Sequence, residues 1–87
     1  MSQLTTGQIR EDIINYLTEN FPLFDINAPD ETPMPEHGID SLGITMMVLY
    51  FEDHFGVKVL DSELTRENLG NIRSLIRYVT TKLKVSE

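Results

Sequence analysis

The chain has 87 residues and no cysteine, with 7 Lys and Arg against 14 Asp and Glu, a net charge of -7. A domain of this size removes only roughly 60 to 65% of its unfolded surface from water, and it has neither disulfides nor thiolate metal sites to reinforce it. Nucleic-acid phosphates call for a basic surface, so the acidic balance argues against nucleic acid as a partner.

From Glu11 through Val57 there are ten acidic residues and no Lys or Arg; the six basic residues after Arg10 begin at Lys58. An acidic front half is read either as plain solubility or as steering toward partners with positive patches. The opening "MSQLTTGQIRED" lacks a basic region followed by an apolar stretch, and no apolar run approaches membrane-spanning length. The expectation is a cytoplasmic monomer with no leader and no membrane insertion.

In chain order, Ile9, Ile13, Tyr16, Leu17 and Phe21 fall at helical spacings and predict a first helix over about 6–21. Thr5 or Thr6 is its expected cap, and Pro22 its stop. Residues 22–40 hold all four prolines and read as a long loop, with Leu23, Phe24, Ile26 and Met34 as its anchors to the core. Loops of this length in small domains commonly carry function.

A second helix is expected over about 41–55, with Leu42, Ile44, Met47, Val48, Phe51 and Phe55 turned inward. "FGVKVL" alternates like a strand but has no pairing partner; it reads as a loop whose Val57 and Val59 plug the core. "DSELTREN" predicts a short helix at about 61–66 anchored by Leu64. A last helix over about 71–84 follows from the spacing of Ile72, Leu75, Ile76, Val79 and Leu83, with Asn71 as cap. Lys82 and Lys84 suit the negative end of its dipole. The chain therefore reads as a single all-α domain over 1–87, a small bundle of three main helices and one short helix.

The candidates for chemistry centre on Asp40-Ser41. A cap is the ordinary meaning of such a pair before an apolar helix. A catalytic serine is disfavoured: there is no G-x-S-x-G elbow, and His37 and His54 flank opposite ends of the second helix. The stretch "DINAPDETPMPE" places Asp25, Asn27 and Glu36 at calcium-loop positions, but Pro29 and Asp30 fail where an oxygen ligand and a glycine are needed. His37 and His54 lack a close ligand partner for zinc. No catalytic and no metal residues are expected.

"GIDSLG" at 38–43, opening the second helix of a small acidic bundle, resembles the phosphopantetheine-attachment motif of the acyl carrier protein family. The long loop before it, "FEDHFGVKV" after it and "ENLGNIRSLIRYV" ahead of the last helix extend the resemblance over nearly the whole chain. It implies 4'-phosphopantetheine bound covalently at Ser41, with Asp40 helping to position the transferase and its metal and Leu42 packing at the helix base to seat the arm. It also implies a carrier without catalysis of its own, whose cofactor thiol holds the cargo as a thioester. The implied partners are a phosphopantetheinyl transferase, a loading ligase or acyltransferase, and downstream condensing or tailoring enzymes.

The resemblance further implies recognition along the second helix, where Gly43, Met46, Leu49, Tyr50 and Asp53 are expected outward with Glu52 beside them. Gly43 and Met46 stand where acidic residues are usual in carriers of fatty-acid synthesis. "DSLG" and "ELTRENLGNI" are more similar to stand-alone carriers of specialised pathways with aminoacyl, D-alanyl or malonyl-type cargo. Thr45 is expected beside the cargo cavity, favouring short or polar cargo. A housekeeping carrier of fatty-acid synthesis and, from another class, an acidic helical interaction module without a prosthetic group remain the alternatives.

Overall fold

Thr5 begins the first helix, α1 (Thr6–Asn20). Its side chain accepts the Gln8 N–H at 3.1 Å while Gln8 Oε1 accepts the Thr5 N–H at 3.0 Å. This reciprocal box satisfies two donors that a helix start otherwise leaves unpaired. The helix stops one residue before the expected Phe21, because Phe21 takes extended backbone ahead of Pro22. The structure, a computed structural model, describes residues 4–85, so the expected domain span of 1–87 and the first residues of the leader reading lie partly outside it.

Three further helices follow: α2 (Ser41–Phe55), α3 (Arg66–Leu69) and α4 (Ile72–Leu83). The fold is all-helical, as expected, and no strand occurs among the described residues. "FGVKVL" leaves α2 through Gly56, held at φ 70°, a left-handed conformation that favours glycine. Val57 and Val59 then pack partly buried against the core. Asn71 caps α4 by accepting the Ser74 N–H at 2.8 Å. The central element is α4, which packs against all three other helices and buries Ile72, Leu75 and Val79 against Ile9, Ile13 and Leu17 of α1.

The expected short helix at 61–66 is corrected. A 3-10 turn spans Asp61–Glu63, and α3 starts only at Arg66. Thr65 separates them: its backbone is extended and its hydroxyl accepts the Asn68 N–H at 3.2 Å, so it begins a new helix rather than continuing one. Leu64 is consequently exposed, and the anchoring role expected of it falls to the buried Leu69.

The loop at 22–40 is fastened at several points. Arg10 of α1 grips Asp30 through two bonds of 2.6 and 2.9 Å, and this contact holds the Asp30 carboxyl below its usual range. Arg73 of α4 pairs with Glu31. A 3-10 turn, Met34–His37, lies within the loop, and the Met34 N–H donates to the Gly70 carbonyl at 3.0 Å. Of the expected anchors, Met34 is buried and Phe24 partly so, whereas Leu23 and Ile26 are exposed. His37 supplies the missing anchor: it is buried on Phe24, and its Nδ1 accepts the Asp25 N–H at 3.2 Å.

Glu63 ties the 3-10 turn before α3 to α4. Its carboxylate accepts the Leu60 N–H at 3.0 Å, the Tyr78 hydroxyl at 2.9 Å and the Lys82 ammonium at 2.9 Å. These donors, the Leu60 N–H foremost, lower its pKa from 4.5 to about 2. A depressed carboxyl stabilises the fold above its unfolded pKa, and that stabilisation is lost as pH falls toward the folded value. Glu63→Gln is therefore expected to lower the melting temperature at pH 7. The gap to the parent chain should close between about pH 4.5 and pH 2. Melting curves over that range check this, and a gap independent of pH would contradict it.

Candidate functional site

The site begins where the loop turns into α2. Gly38 ends the 3-10 turn at φ 74°, again left-handed, and a Cβ there would sit 2.8 Å from the Leu23 side chain. Ile39 is then buried and Asp40 is extended. The Asp40 Oδ1 accepts the Gly43 N–H at 3.0 Å, which makes Asp40 the N-cap and Ser41 the first helical residue.

Ser41 is exposed. Its N–H and that of Leu42 belong to the helix start and have no intrahelical acceptor. The helix dipole adds partial positive charge there, so the turn suits an anionic group. An open groove of about 660 Å³ adjoins Ser41, within the usual size range of ligand pockets. Its apolar lining includes Pro33, Met34, Ile39, Ile44, Leu64 and Leu69. Its polar side chains are those of Asp40, Ser41, Thr65 and Arg66.

The structure divides the other expected site residues. Leu42 is 70% exposed, so its expected packing at the helix base is corrected. Gly43, expected outward, is buried: a Cβ would meet Ile39 Cγ2 at 2.8 Å and Phe21 Cε1 at 2.9 Å. Both corrections have one cause. The inner stripe of α2 runs through Gly43, Met47, Phe51 and Phe55 at every fourth residue, which turns Leu42 out.

Met46 and Leu49 lie outward as expected, 36% and 60% exposed, with Asp53 also exposed. Tyr50 does not: it stacks on Tyr16 at 4.1 Å and on His54 at 4.9 Å, and its hydroxyl donates to the Asp12 carbonyl at 3.2 Å. Burial, foremost, pushes that hydroxyl up to about 12. Glu52 is half-buried, and its carboxylate accepts the Val59 N–H at 3.0 Å, securing the chain after α2. Thr45 is exposed and bonds back to the Ser41 carbonyl at 3.2 Å; the groove residue is its neighbour Ile44. Arg66 went unnoticed in the sequence because a helix over 61–66 made it a terminal residue rather than the first of α3.

The chain matches the family model described as the phosphopantetheine attachment site over residues 11–79. Its structure is similar to the crystal structure of an acyl carrier protein from Thermotoga maritima, with TM-score 0.69 and 25% sequence identity. That match covers 87% of this chain and 92% of the other. No curated protein sequence matches the chain. The chain belongs to the phosphopantetheine-binding acyl carrier protein family. It is a carrier protein, and its cofactor is 4'-phosphopantetheine.

The buried glycine yields a test. Alanine gains about 1 kcal/mol of helix propensity over glycine, whereas overpacking a filled core costs about 1–3 kcal/mol. Both opposing groups at Gly43 are buried side chains, so overpacking should win. Gly43→Ala is expected to cost about 1 kcal/mol net, about 4–8 °C in melting temperature. An unchanged or higher melting temperature would count against the assigned inner face.

Proposed function

We propose that Ser41 carries the phosphopantetheine arm, and that the chain holds acyl or aminoacyl groups for partner enzymes of a specialised biosynthetic pathway. The observation that supports this reading best is the exposed Ser41 hydroxyl on the first turn of α2, at the edge of the groove. The residues fit the group. The two free N–H groups and the dipole suit its phosphodiester, and the apolar groove wall suits its methyl-bearing pantoyl portion. When bound, the arm supplies a terminal thiol on which cargo is held as a thioester.

The chain's own residues do the holding rather than the reacting. Asp40 fixes the first turn and leaves Ser41 pointing clear of the core. The described residues lining the groove include no His, Cys or Lys that could act as base or nucleophile. Loading and transfer are therefore assigned to a phosphopantetheinyl transferase, a ligase or acyltransferase, and downstream enzymes. No helix among the described residues is long and apolar enough to cross a membrane.

Leu42, Met46 and Leu49 sit at i, i+4 and i+7, so they form an exposed apolar row running from Ser41 along α2 toward Asp53. An enzyme that reaches Ser41 has to cover the start of this row. Apolar contacts set dissociation more than charges do, and the exposed acids beside this row are Asp53 and the capping Asp40. This apolar row in place of acidic side chains supports a specialised carrier over a housekeeping one.

Incubation with coenzyme A and a phosphopantetheinyl transferase should add one phosphopantetheine to the parent chain by intact mass. Ser41→Ala should stay folded, losing at most about 1 kcal/mol near a cap, and gain nothing. A modified Ser41→Ala chain would refute the assignment. Met46→Glu should lower the transfer efficiency of the cognate enzyme about fivefold or more, the loss of one hot-spot contact. Unchanged transfer that collapses in moderate salt would make recognition electrostatic instead.

A further inference from the structure

His37, four residues before Ser41, is an ionisable ring only 1% exposed. Its Nδ1 accepts the Asp25 N–H at 3.2 Å, so the neutral ring carries its proton on Nε2. That Nε2–H is buried without a hydrogen-bond partner among the described residues. The ring packs on Phe24, with centroids 4.8 Å apart. No carboxylate oxygen among the described residues comes within 4.0 Å of either ring nitrogen. The acids of the loop are turned elsewhere: Asp25 accepts the Asn27 N–H at 2.9 Å, Asp40 the Gly43 N–H, and Glu36 is exposed. Arg10 of α1 and Arg73 of α4, the cations that meet this loop, are held by Asp30 and Glu31. On α1, Glu11 and Glu19 are exposed and Asp12 meets His54; on α2, Glu52, Asp53 and His54 stand at the opposite end from Ser41.

We infer that His37 is a proton-operated latch on the loop that leads into Ser41. An imidazolium donates from both nitrogens. In this seat its Nδ1–H would meet the Asp25 N–H donor to donor, and its charge would lie buried with neither a counter-ion nor an acceptor. The ring therefore leaves its seat when it takes a proton. Its departure frees the Asp25 N–H, uncovers Phe24 and releases the last residue of the Met34–His37 turn, from which Gly38 leads to Asp40 and Ser41. One proton is taken from solvent on opening and returned on closing, so falling pH favours the open form. The Met34 bond to Gly70 and the two arginine pairs contain no histidine and keep the rest of the loop on the bundle. The latch stands on this geometry and not on which residue carries the arm.

The test follows the full chain by nitrogen-15 NMR between about pH 7.5 and pH 5.5, a window in which histidines titrate and most carboxylates stay charged. At the upper end the His37 ring should show the Nε2–H tautomer. On acidification the protection of the Asp25 amide against hydrogen exchange should fall about tenfold or more, while the Met34 amide keeps its protection. His37→Asn, whose side-chain oxygen can accept the same N–H but takes up no proton in this window, should show no such fall. His54→Gln should respond as the parent chain does, which keeps the test decisive even if His37→Asn holds the loop poorly. An Nδ1–H tautomer, a pH-independent Asp25 amide in the parent chain, or a response that survives in His37→Asn overturns the latch. So does a response lost in His54→Gln, which would assign it to the His54–Asp12 pair instead.

Discussion

The hydrogen bond from the Met34 N–H to the Gly70 carbonyl, 3.0 Å long, is the contact on which the geometry of the site depends. Met34 is buried, and its own carbonyl accepts the N–H groups of Gly38 and Ile39. One residue thus joins the proline-rich loop to the α3–α4 junction and sets the turn that delivers Asp40 and Ser41 to the start of α2. The Arg10–Asp30 and Arg73–Glu31 pairs hold the same loop from two helices. Such exposed pairs are each worth little alone, but together they keep a long loop in one place while the buried methionine contributes most of the energy.

This arrangement separates two requirements that a small carrier has to meet at once. On the proposed reading the attachment residue must be open to large enzymes, and Ser41 is exposed on a first turn anchored inward by Ile39 and Gly43. The groove beside it must keep its shape without a large core behind it. Its walls come from the loop, from α2 and from α3, and the Met34 contact joins the loop to the end of α3.

Local chemistry was readable in the sequence. Thr5 and Asn71 cap the helices expected of them, and the Asp40-Ser41 pair starts α2, because a cap depends only on residues three positions apart. The inner stripe of α2 was read correctly at Met47, Phe51 and Phe55, with Ile44 and Val48 partly buried. Its start was misplaced: Leu42 was taken for the inward position that Gly43 occupies, because a glycine without a side chain gives no apolar signal. The helix at 61–66 failed because Thr65 looked like interior polar surface rather than a new cap. What joins distant segments left no local trace. Asp30 meets Arg10, His37 takes the Asp25 N–H, and Glu52 turns to Val59 instead of solvent. Each of these diverted an acid or histidine that the sequence alone would offer to a partner or a site. The placement of Arg66 on the groove depends on three segments meeting, which no spacing announces.

The account's central claim is that the arm is attached at Ser41 and lies on the groove that Met34 and α3 form. Amide chemical shifts of the chain before and after phosphopantetheinylation test it most directly. The account predicts that the changes fall on the first turn of α2 around Ser41, on the Met34 turn, and on Leu64 through Gly70, with the Tyr50–His54 end of α2 unmoved. Changes centred on that far end, or absent from Leu64 through Gly70, would contradict it.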